Sequence, residues 1–302
     1  MGGTEWLLVL ALAVLWGGSF FFFKILVAEL PPFTIVLGRV FVAALALHTV
    51  RIVTRRSLPT SPAVWRDIFI LATLNNVIPF SLIAYGEARI TSGLAAILNA
   101  ATPIFTLLVA HFATHDDRFD TGRLLAVVLG FGGVLVLVGP SAMHDLGGPS
   151  VVGQLACLGA AVSYGFAGVW GRRFKAVPPL SLAASQVTAS TVVLIPLALL
   201  FDHPWTLPMP SPTAWSALVA LALLSTALAY FTYFALLRRA GATNAAIVTF
   251  LLPVTALLLG LVVLHEQIEP RAYLGMALIG LGLAALDGRP LAWLRGRTRA
   301  VA

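Results

Sequence analysis

The sequence predicts an all-α integral membrane protein with ten transmembrane helices, arranged as two inverted five-helix repeats around a central cavity. Three observations predict this fold: the composition, the length of the apolar runs and an internal repeat. Of the 302 residues, 59% are hydrophobic and 10% are charged, whereas a soluble domain carries about 25% charged residues. A water-soluble core could not bury this much apolar surface, so lipid is the expected solvent.

Ten apolar runs are long enough to cross a bilayer, which takes about 20 helical residues with a usable range of roughly 17–25. Proline, glycine or charged residues separate the runs. None alternates polar and apolar residues with a period of two, as the strands of a membrane barrel do. The predicted spans are 6–27, 33–53, 65–86, 92–112, 122–139, 151–171, 180–201, 213–236, 243–264 and 270–287.

The internal repeat aligns residues 61–132 with residues 211–282 at a constant offset of 150, without a gap. Seventeen of these 72 pairs are identical, and the first two spans of each half also correspond, so that Arg39 falls opposite Gln186. One unit holds five spans, an odd number, so the second copy must cross the membrane in the opposite direction. Inverted repeats of this kind indicate an alternating-access transporter. The predicted units are residues 1–145 and 146–288, followed by a basic tail at 289–302.

The basic residues orient the bundle through the positive-inside rule. Fifteen of the 19 Lys and Arg residues lie in loops or the tail on one side, and only Lys24, Arg89 and Arg271 lie on the other. Both termini are therefore predicted to be cytoplasmic, in a bacterial inner membrane. The same scattered arrangement argues against a nucleic-acid partner, although the net charge is +7, and it favours membrane lipid as the partner of the tail.

Several segments, in order and in both halves, resemble the ten-helix EamA-type group of the drug/metabolite transporter superfamily. They are WGGSFFFFK at 16–24, TSGLAAILNAATP at 91–103 and HEQIEPRAYLGMALIGLGL at 265–283. One departure is His115-Asp116-Asp117, where the family usually has Gly-Glu. The resemblance implies that helices 1, 3, 4, 6, 8 and 9 line the cavity. It also implies export of small metabolites, and one similar member type exports aromatic amino acids.

The sequence thus predicts an exporter of amino acids, aromatic or otherwise hydrophobic, and of related small molecules. A multidrug exporter for lipophilic solutes is the alternative, and a non-transporting membrane receptor or scaffold is the alternative from another class. An enzyme is not expected, because neither an HExxH motif nor a pair of intramembrane aspartates is present.

Polar side chains are costly in the hydrocarbon core, so those within the spans are candidates for solute binding. Aromatic residues on shared helix faces join them, because aromatic rings suit an apolar solute. Ordinary helix packing and interhelical hydrogen bonding remain the alternative for each. The substrate-binding candidates are Trp16, Ser19, Asn76, Asn99, Thr102, Ser163, Tyr164, Thr226, Tyr230, Tyr233 and Thr249.

Pro103 and Pro253 occupy equivalent positions in the two copies. A proline within a helix removes a backbone hydrogen bond, so both are predicted hinges for the fourth and ninth helices.

Three charged residues are further candidates: Lys24, Arg39 and Glu266. Arg39 lies within a span, where it could attract a substrate carboxylate, extend towards the headgroups or pair with a nearby glutamate. We favour the pair, with Glu29, Glu87 or Glu266 as the partner.

No phosphate-loop motif occurs, and no cofactor or metal is expected. All twelve acidic residues lie at span ends or in loops, so facilitated flux or exchange is predicted rather than proton coupling. The oligomeric state stays open and a monomer is plausible, because the small-residue patterns Ala126-x-x-x-Gly130 and Gly280-x-x-x-Ala284 serve internal packing as often as dimers.

Overall fold

The structure is a computed structural model that describes residues 2–113, 121–144, 148–245 and 247–287. Over these residues the secondary structure is helical, without strands. The first half contains α1 (Gly3–Leu26), α2 (Pro32–Val53), α3 (Pro62–Glu87), α4 (Ser92–Ala113) and α5 (Thr121–His144). The second half contains α6 (Pro149–Gly171), α7 (Pro179–Asp202), α8 (Pro212–Gly241), α9 (Val248–Val262) and α10 (Pro270–Asp287).

The prediction of ten membrane helices is confirmed over the described residues. Seven helices are long and apolar enough to cross a membrane by themselves. Shorter apolar stretches, Leu124–Val138, Val248–Val262 and Pro270–Ala285, lie where the other three spans were predicted. The predicted tail at 289–302 and the segment His115-Asp116-Asp117 lie outside the described residues.

Proline and side-chain caps set where the helices begin. Proline is the first residue of α2, α3, α6, α7, α8 and α10, and its fixed φ and missing N–H suit the first helical position. Before α4 and α8, the Thr91 and Ser211 hydroxyls accept hydrogen bonds from the amides of Leu94 and Ala214, as N-cap residues do. The eighth span ends later than predicted, at Gly241, whose φ of 76° and ψ of 168° interrupt the helix.

The helix packing follows the repeat. α1 packs on α9, and their equivalents α6 and α4 pack on each other in the same way. Both contacts depend on equivalent glycines. A Cβ on Gly17 would lie 2.8 Å from the Leu252 carbonyl oxygen of α9, and a Cβ on Gly165 would lie 3.0 Å from the Phe105 carbonyl carbon of α4. The two halves are therefore related by inversion in their contacts as well as in their sequence.

α5 and α10 pack together at the side of the bundle through small residues. A Cβ on Gly282 would lie 2.8 Å from the Ala126 carbonyl oxygen, and one on Gly133 would lie 2.8 Å from that of Gly275. The small-residue pattern at 126–130 therefore serves packing within this chain.

The exterior is apolar and the interior holds polar groups, which is the arrangement expected in lipid. Large apolar side chains such as Leu7, Phe112 and Leu135 are more than two-thirds exposed. Arg39, Asn76, Gln186, Ser190 and Thr226, in contrast, are each less than 5% exposed. These buried polar residues come from α2, α3, α7 and α8, so α2 and α7 join the helices that were expected to line the centre.

Candidate functional site

Two π-helical turns lie at equivalent positions in the two copies. They span Thr73–Val77 in α3 and Leu223–Leu228 in α8, and their first residues again differ by an offset of 150. A π turn inserts one residue into an α-helix and is frequent at functional sites. The first turn buries the polar side chain of Asn76, and the second buries those of Ser225 and Thr226.

Arg39 of α2 contacts the turn in α8. Its Nε donates to Thr226 Oγ1 at 2.8 Å, and its Nη2 donates to the Ser225 carbonyl oxygen at 3.4 Å. The guanidinium lies 3.6 Å from the ring centre of Phe80 and 5.2 Å from that of Phe23, so both rings make cation–π contacts. Among the described residues, Arg39 forms no ion pair with a carboxylate.

Gln186 of α7 contacts the turn in α3. Its Nε2 donates to Asn76 Oδ1 and to the Tyr230 hydroxyl, both at 3.2 Å. Asn76 Nδ2 in turn donates to Ser190 Oγ at 2.9 Å, and Ser190 Oγ donates to the Gln186 carbonyl at 2.8 Å. These bonds form a closed network across α3, α7 and α8 in which each buried amide has partners.

The two contact sets are copies of each other. Arg39 corresponds to Gln186, Thr226 to Asn76, and Phe80 to Tyr230. In each half, the residue from the second helix bonds the π-turn residue of the opposite half and contacts an aromatic ring. One copy carries a positive charge and a phenyl ring, and the other a neutral amide and a phenol. The site therefore has the two-fold geometry of the repeat but different chemistry on its two sides.

Aromatic rings extend from this centre between α1 and α8. Trp16 and Tyr233 have ring centres 5.5 Å apart, Tyr233 and Phe234 5.5 Å, and Tyr230 and Phe234 6.0 Å with nearly parallel planes. All four side chains are partly exposed and pack against the buried core. Rings at these distances form a continuous apolar wall that ends at the polar centre.

The remaining candidates are placed as follows. Ser19 is buried in α1, Ser163 donates from α6 to the Leu74 carbonyl in the α3 π turn at 2.7 Å, and Tyr164 packs against the core. Asn99 lies where α4 breaks into Ser92–Asn99 and Thr102–Ala113, and its buried Oδ1 has no hydrogen-bond partner.

Next to this break, Thr102 donates to the Asn99 carbonyl oxygen at 2.7 Å, and Pro103 follows immediately. Pro253 lies inside the unbroken helix α9. Thr249 and Pro253 line a cavity of about 200 Å³ between α4, α9 and α10, away from the central network. Whether the two prolines act as hinges stays a prediction.

Several charged residues meet at one end of the bundle, where α1, α3, α7 and α9 end and α2, α4 and α8 begin. We call this end the distal face. Glu266, after α9, accepts from the amide and hydroxyl of Ser92 at 2.9 and 2.8 Å, and Lys24 donates to the carbonyls of Glu87 and Ile90, both at 2.8 Å. The Glu87 side chain is fully buried, and neither carboxyl oxygen has a hydrogen-bond partner.

The other predicted partners of Arg39 also bond elsewhere at this end. Glu29 accepts from the amide and hydroxyl of Ser211 at 2.7 and 2.6 Å, and these hydrogen bonds hold the pKa of the Glu29 carboxyl below its ordinary value. The favoured pairing of Arg39 with Glu29, Glu87 or Glu266 is therefore not what the structure contains. Glu29 and Glu266 instead bond amides at the first turns of α8 and α4, where a helix favours negative charge.

Sequence reasoning missed Gln186 and Ser190 as members of the central network. Both are polar residues within a span, and Gln186 is the repeat equivalent of Arg39. The signal was thus present in the alignment of the two copies. The π turns have no comparable sequence signal.

Comparison with known proteins agrees with this architecture. The profile of the EamA-like transporter family matches residues 4–139 and again residues 151–286. The uncharacterized transporter YoaV of Bacillus subtilis (strain 168) is 25% identical over 276 residues, covering 91% of this chain and 94% of YoaV. Protein PecM of Dickeya dadantii (strain 3937) is 25% identical over 267 residues, covering 87% and 86%.

A solved crystal structure of another protein shares the fold, with a TM-score of 0.69 at 18% identity over 97% of this chain and 98% of that one. The two family matches cover nearly all of the ten helices, and each covers one five-helix half. The chain is a multi-pass membrane protein and belongs to the EamA-like transporter family.

Proposed function

We propose that this protein is a secondary transporter that exports amino acids, chiefly aromatic or other hydrophobic ones, across the bacterial inner membrane by alternating access. Both termini would lie in the cytoplasm, as the distribution of basic residues predicts. The solute would bind at the central network between α2, α3, α7 and α8. The observation that carries the proposal is Arg39, a buried guanidinium without a carboxylate partner among the described residues.

A buried charge is costly unless it is paired and hydrogen-bonded. Arg39 has one hydroxyl, one carbonyl and two aromatic faces as partners, and its Nη1 makes no hydrogen bond within the described part of the chain. A solute carboxylate is the natural complement of such a group, because an arginine can donate to both carboxylate oxygens at once. This supports a carboxylate-bearing solute.

The aromatic wall supports an apolar side chain on that solute. Trp16, Tyr230, Tyr233 and Phe234 form it on one side of the polar centre, and their partial exposure leaves ring faces available for contact. An apolar solute of amino-acid size needs a few polar contacts for orientation and aromatic surface for affinity.

Direct contacts join α4 to α9 and to the residue that follows α9 at the distal face, which supports one closed state of the proposed alternating-access cycle. Glu266 bonds Ser92 across α9 and α4, and a Cβ on Gly93 would lie 2.6 Å from the Leu257 side chain. In the alternate state, each half would adopt the conformation that the other half has here. The central network would then be open to the opposite side of the membrane. The pair α1 and α9 and the pair α4 and α6 are each joined by a close glycine contact, so each pair would move as one unit.

A multidrug exporter for lipophilic solutes remains the alternative, since the aromatic wall would suit such solutes as well. A lipophilic cation is disfavoured, because the buried charge at the centre is positive.

Arg39→Gln tests the proposal in proteoliposomes. Flux of L-phenylalanine and of phenethylamine, which lacks only the carboxylate, is measured for wild type and variant at low solute concentration. Losing a charge-assisted hydrogen bond of about 1.5–3 kcal/mol predicts a fall of roughly tenfold to a hundredfold for phenylalanine, with phenethylamine unchanged or faster. Arg66→Gln is the control, because Arg66 is exposed and pairs only with Asp67.

Equal loss for both solutes would contradict the role of Arg39. Absence of phenylalanine flux in wild type would reject the substrate class.

Energy coupling is proposed to be facilitated flux or exchange, because no acidic side chain lies in the described central network. Phenylalanine efflux with and without an imposed pH gradient tests this. Strict dependence on that gradient would overturn it, and the buried Glu87 would then be the first residue to examine.

A further inference from the structure

A polar cavity lies at the distal face, outside the central network. It has a volume of about 320 Å³ and is lined by residues of α1, α4, α5, α6 and α10 and of the loops beside them. We call it the distal vestibule and define it by its polar lining residues Lys24, Arg89, Thr91, Ser150, Gln267, Glu269 and Arg271. Its lining residues Thr91 and Gln267 are the sequence neighbours of Ser92 and Glu266, which are hydrogen-bonded to each other.

The charge distribution of the whole chain makes this cavity unusual. Lys24, Arg89 and Arg271 are the three basic residues that the positive-inside count leaves on the side opposite the termini. They belong to different segments of the chain, yet all three line this one cavity. A basic residue on the translocated side has no topological reason to be there, so their convergence points to a local role.

The facing charges leave the vestibule positive. Arg271 is paired with Glu269. Arg89 donates to the Tyr85 carbonyl at 2.7 Å and lies over the Tyr85 ring, and it has no carboxylate partner among the described residues. Lys24 donates to two carbonyls rather than to the nearby carboxyl groups.

Two further carboxyl groups lie close to this site. Glu266 is occupied by the amide and hydroxyl of Ser92, and the Glu87 carboxyl is fully buried at the end of α3. Cys157, a buried thiol of α6, lies against Gly86. None of these three groups is among the described residues that line the vestibule. The lining carboxylate Glu269 is paired with Arg271, so Arg89 and Lys24 supply the net positive charge that a bound group would meet.

We propose that the distal vestibule is an anion-binding site that receives the carboxylate of the solute as it leaves the centre. Thr91, Ser150 and Gln267 offer neutral donors beside the two cations, and Ile90, Leu94 and Ile268 offer apolar contact for a side chain. The inference rests on the proposed function for the identity of the solute. The positive character of the cavity stands without it.

The test measures the local charge at a lining position. Gln267→Cys is made in lipid nanodiscs, where both faces are accessible, and its reaction rates with anionic sulfonatoethyl and cationic trimethylammonioethyl methanethiosulfonate are compared. Met209→Cys is the matched control, because Met209 is 85% exposed on a loop at the same face. Wild type reports any labelling of the buried Cys157.

Lys24 and Arg89 line the same cavity as Gln267, and they are expected to raise the anionic-to-cationic rate ratio about tenfold over the control position. Lys24→Gln combined with Arg89→Gln should remove that preference, because these two residues are the lining cations without a carboxylate partner among the described residues. A ratio at Gln267→Cys equal to that at Met209→Cys would overturn the proposal, whatever the transport assays show.

Protection by benzoate then identifies the occupant. Benzoate should slow labelling of Gln267→Cys in phosphatidylcholine nanodiscs. The Lys24→Gln, Arg89→Gln background should abolish that protection, while Arg39→Gln should retain it. Protection that requires phosphatidylglycerol and is absent with benzoate would assign the site to a lipid phosphate and overturn the solute assignment. If Arg39→Gln abolished the protection and the vestibule variants did not, benzoate would bind at the central network. That result would also overturn the assignment of the vestibule to the solute carboxylate.

Discussion

The contact between α1 and α9 allows a sharp test of the packing, because two neighbouring glycines differ in their surroundings. A Cβ on Gly17 would lie 2.7 Å from Thr255 Cβ and 2.8 Å from the Leu252 carbonyl oxygen. A Cβ on Gly18 would meet nothing closer than 3.9 Å. Gly17→Ala and Gly18→Ala are therefore the same chemical change, one at a tight backbone contact and one where the new methyl group makes only ordinary van der Waals contacts.

The difference between the two variants isolates the packing term. Both alanines gain the same helix propensity over glycine, about 1 kcal/mol in a helix interior, so that gain cancels in the comparison. Gly17→Ala must move α9 away by several tenths of an ångström, and overpacking of this kind costs about 1–3 kcal/mol. We expect Gly17→Ala to be less stable than Gly18→Ala by that amount.

Thermal unfolding in detergent micelles, followed by size-exclusion chromatography of the heated protein, measures the difference. A midpoint lower by at least about 2 °C is expected for Gly17→Ala, from the scaling of soluble domains of comparable size. Export should fall with it if α1 and α9 move as a unit. Equal midpoints for the two variants would refute the close approach of α1 to α9.

Three further predictions concern the distal face. Glu87→Met should raise the free energy of unfolding by about 1–3 kcal/mol in chemical denaturation, because it removes two buried oxygens that have no hydrogen-bond partner among the described residues. A free energy of unfolding below that of wild type would mean that the carboxyl group has a partner in the folded protein. The pKa of Glu29 is lowered in the folded state. The Glu29 carboxylate therefore stabilises the fold fully above its unfolded pKa of 4.5, and this stabilisation is lost as the pH falls through the folded pKa. The melting temperature of wild type should therefore fall relative to that of Glu29→Gln between pH 6 and pH 3. An equal pH dependence of the two melting temperatures would contradict a stabilising contact between Glu29 and Ser211 at the start of α8. Ser92→Ala removes a hydroxyl that donates to Glu266 and should lower stability by about 1–3 kcal/mol, whereas Ser216→Ala, which loses only an exposed bond within α8, should change it little.

The fold was largely predictable from the sequence, for a physical reason. Lipid forces backbone groups to bond within each segment, so the length of an apolar run predicts a helix and the breaks predict its ends. Proline at the start of a run, as at Pro62 and Pro212, located helix starts to within a few residues. The ends were less certain where α8 continues to Gly241, because nothing in the sequence between spans eight and nine is strongly polar except Arg238 and Arg239.

The candidate site was predictable only in part. Asn76, Thr226 and Tyr230 stood out as polar groups within spans, and the structure brings all three to the centre. The partner of Arg39 was not predictable, because pairing by charge suggests a glutamate. The glutamates instead bond helix-start amides, where Glu29 and Glu266 each meet a serine. The π turns were also unforeseen, and they decide which side chains face inward.

The inverted geometry separates the contacts that pack the helices from those that would bind the proposed solute. The contacts that repeat, such as Gly17 with α9 and Gly165 with α4, involve backbone and therefore fix how the helices pack. The contacts at the centre repeat in position but differ in chemistry, with Arg39 on one side and Gln186 on the other. A charge on one side of a two-fold site gives a solute with a carboxylate and an apolar end a single preferred orientation. Substitution at these central positions can therefore change the solute while the packing of the helices stays the same.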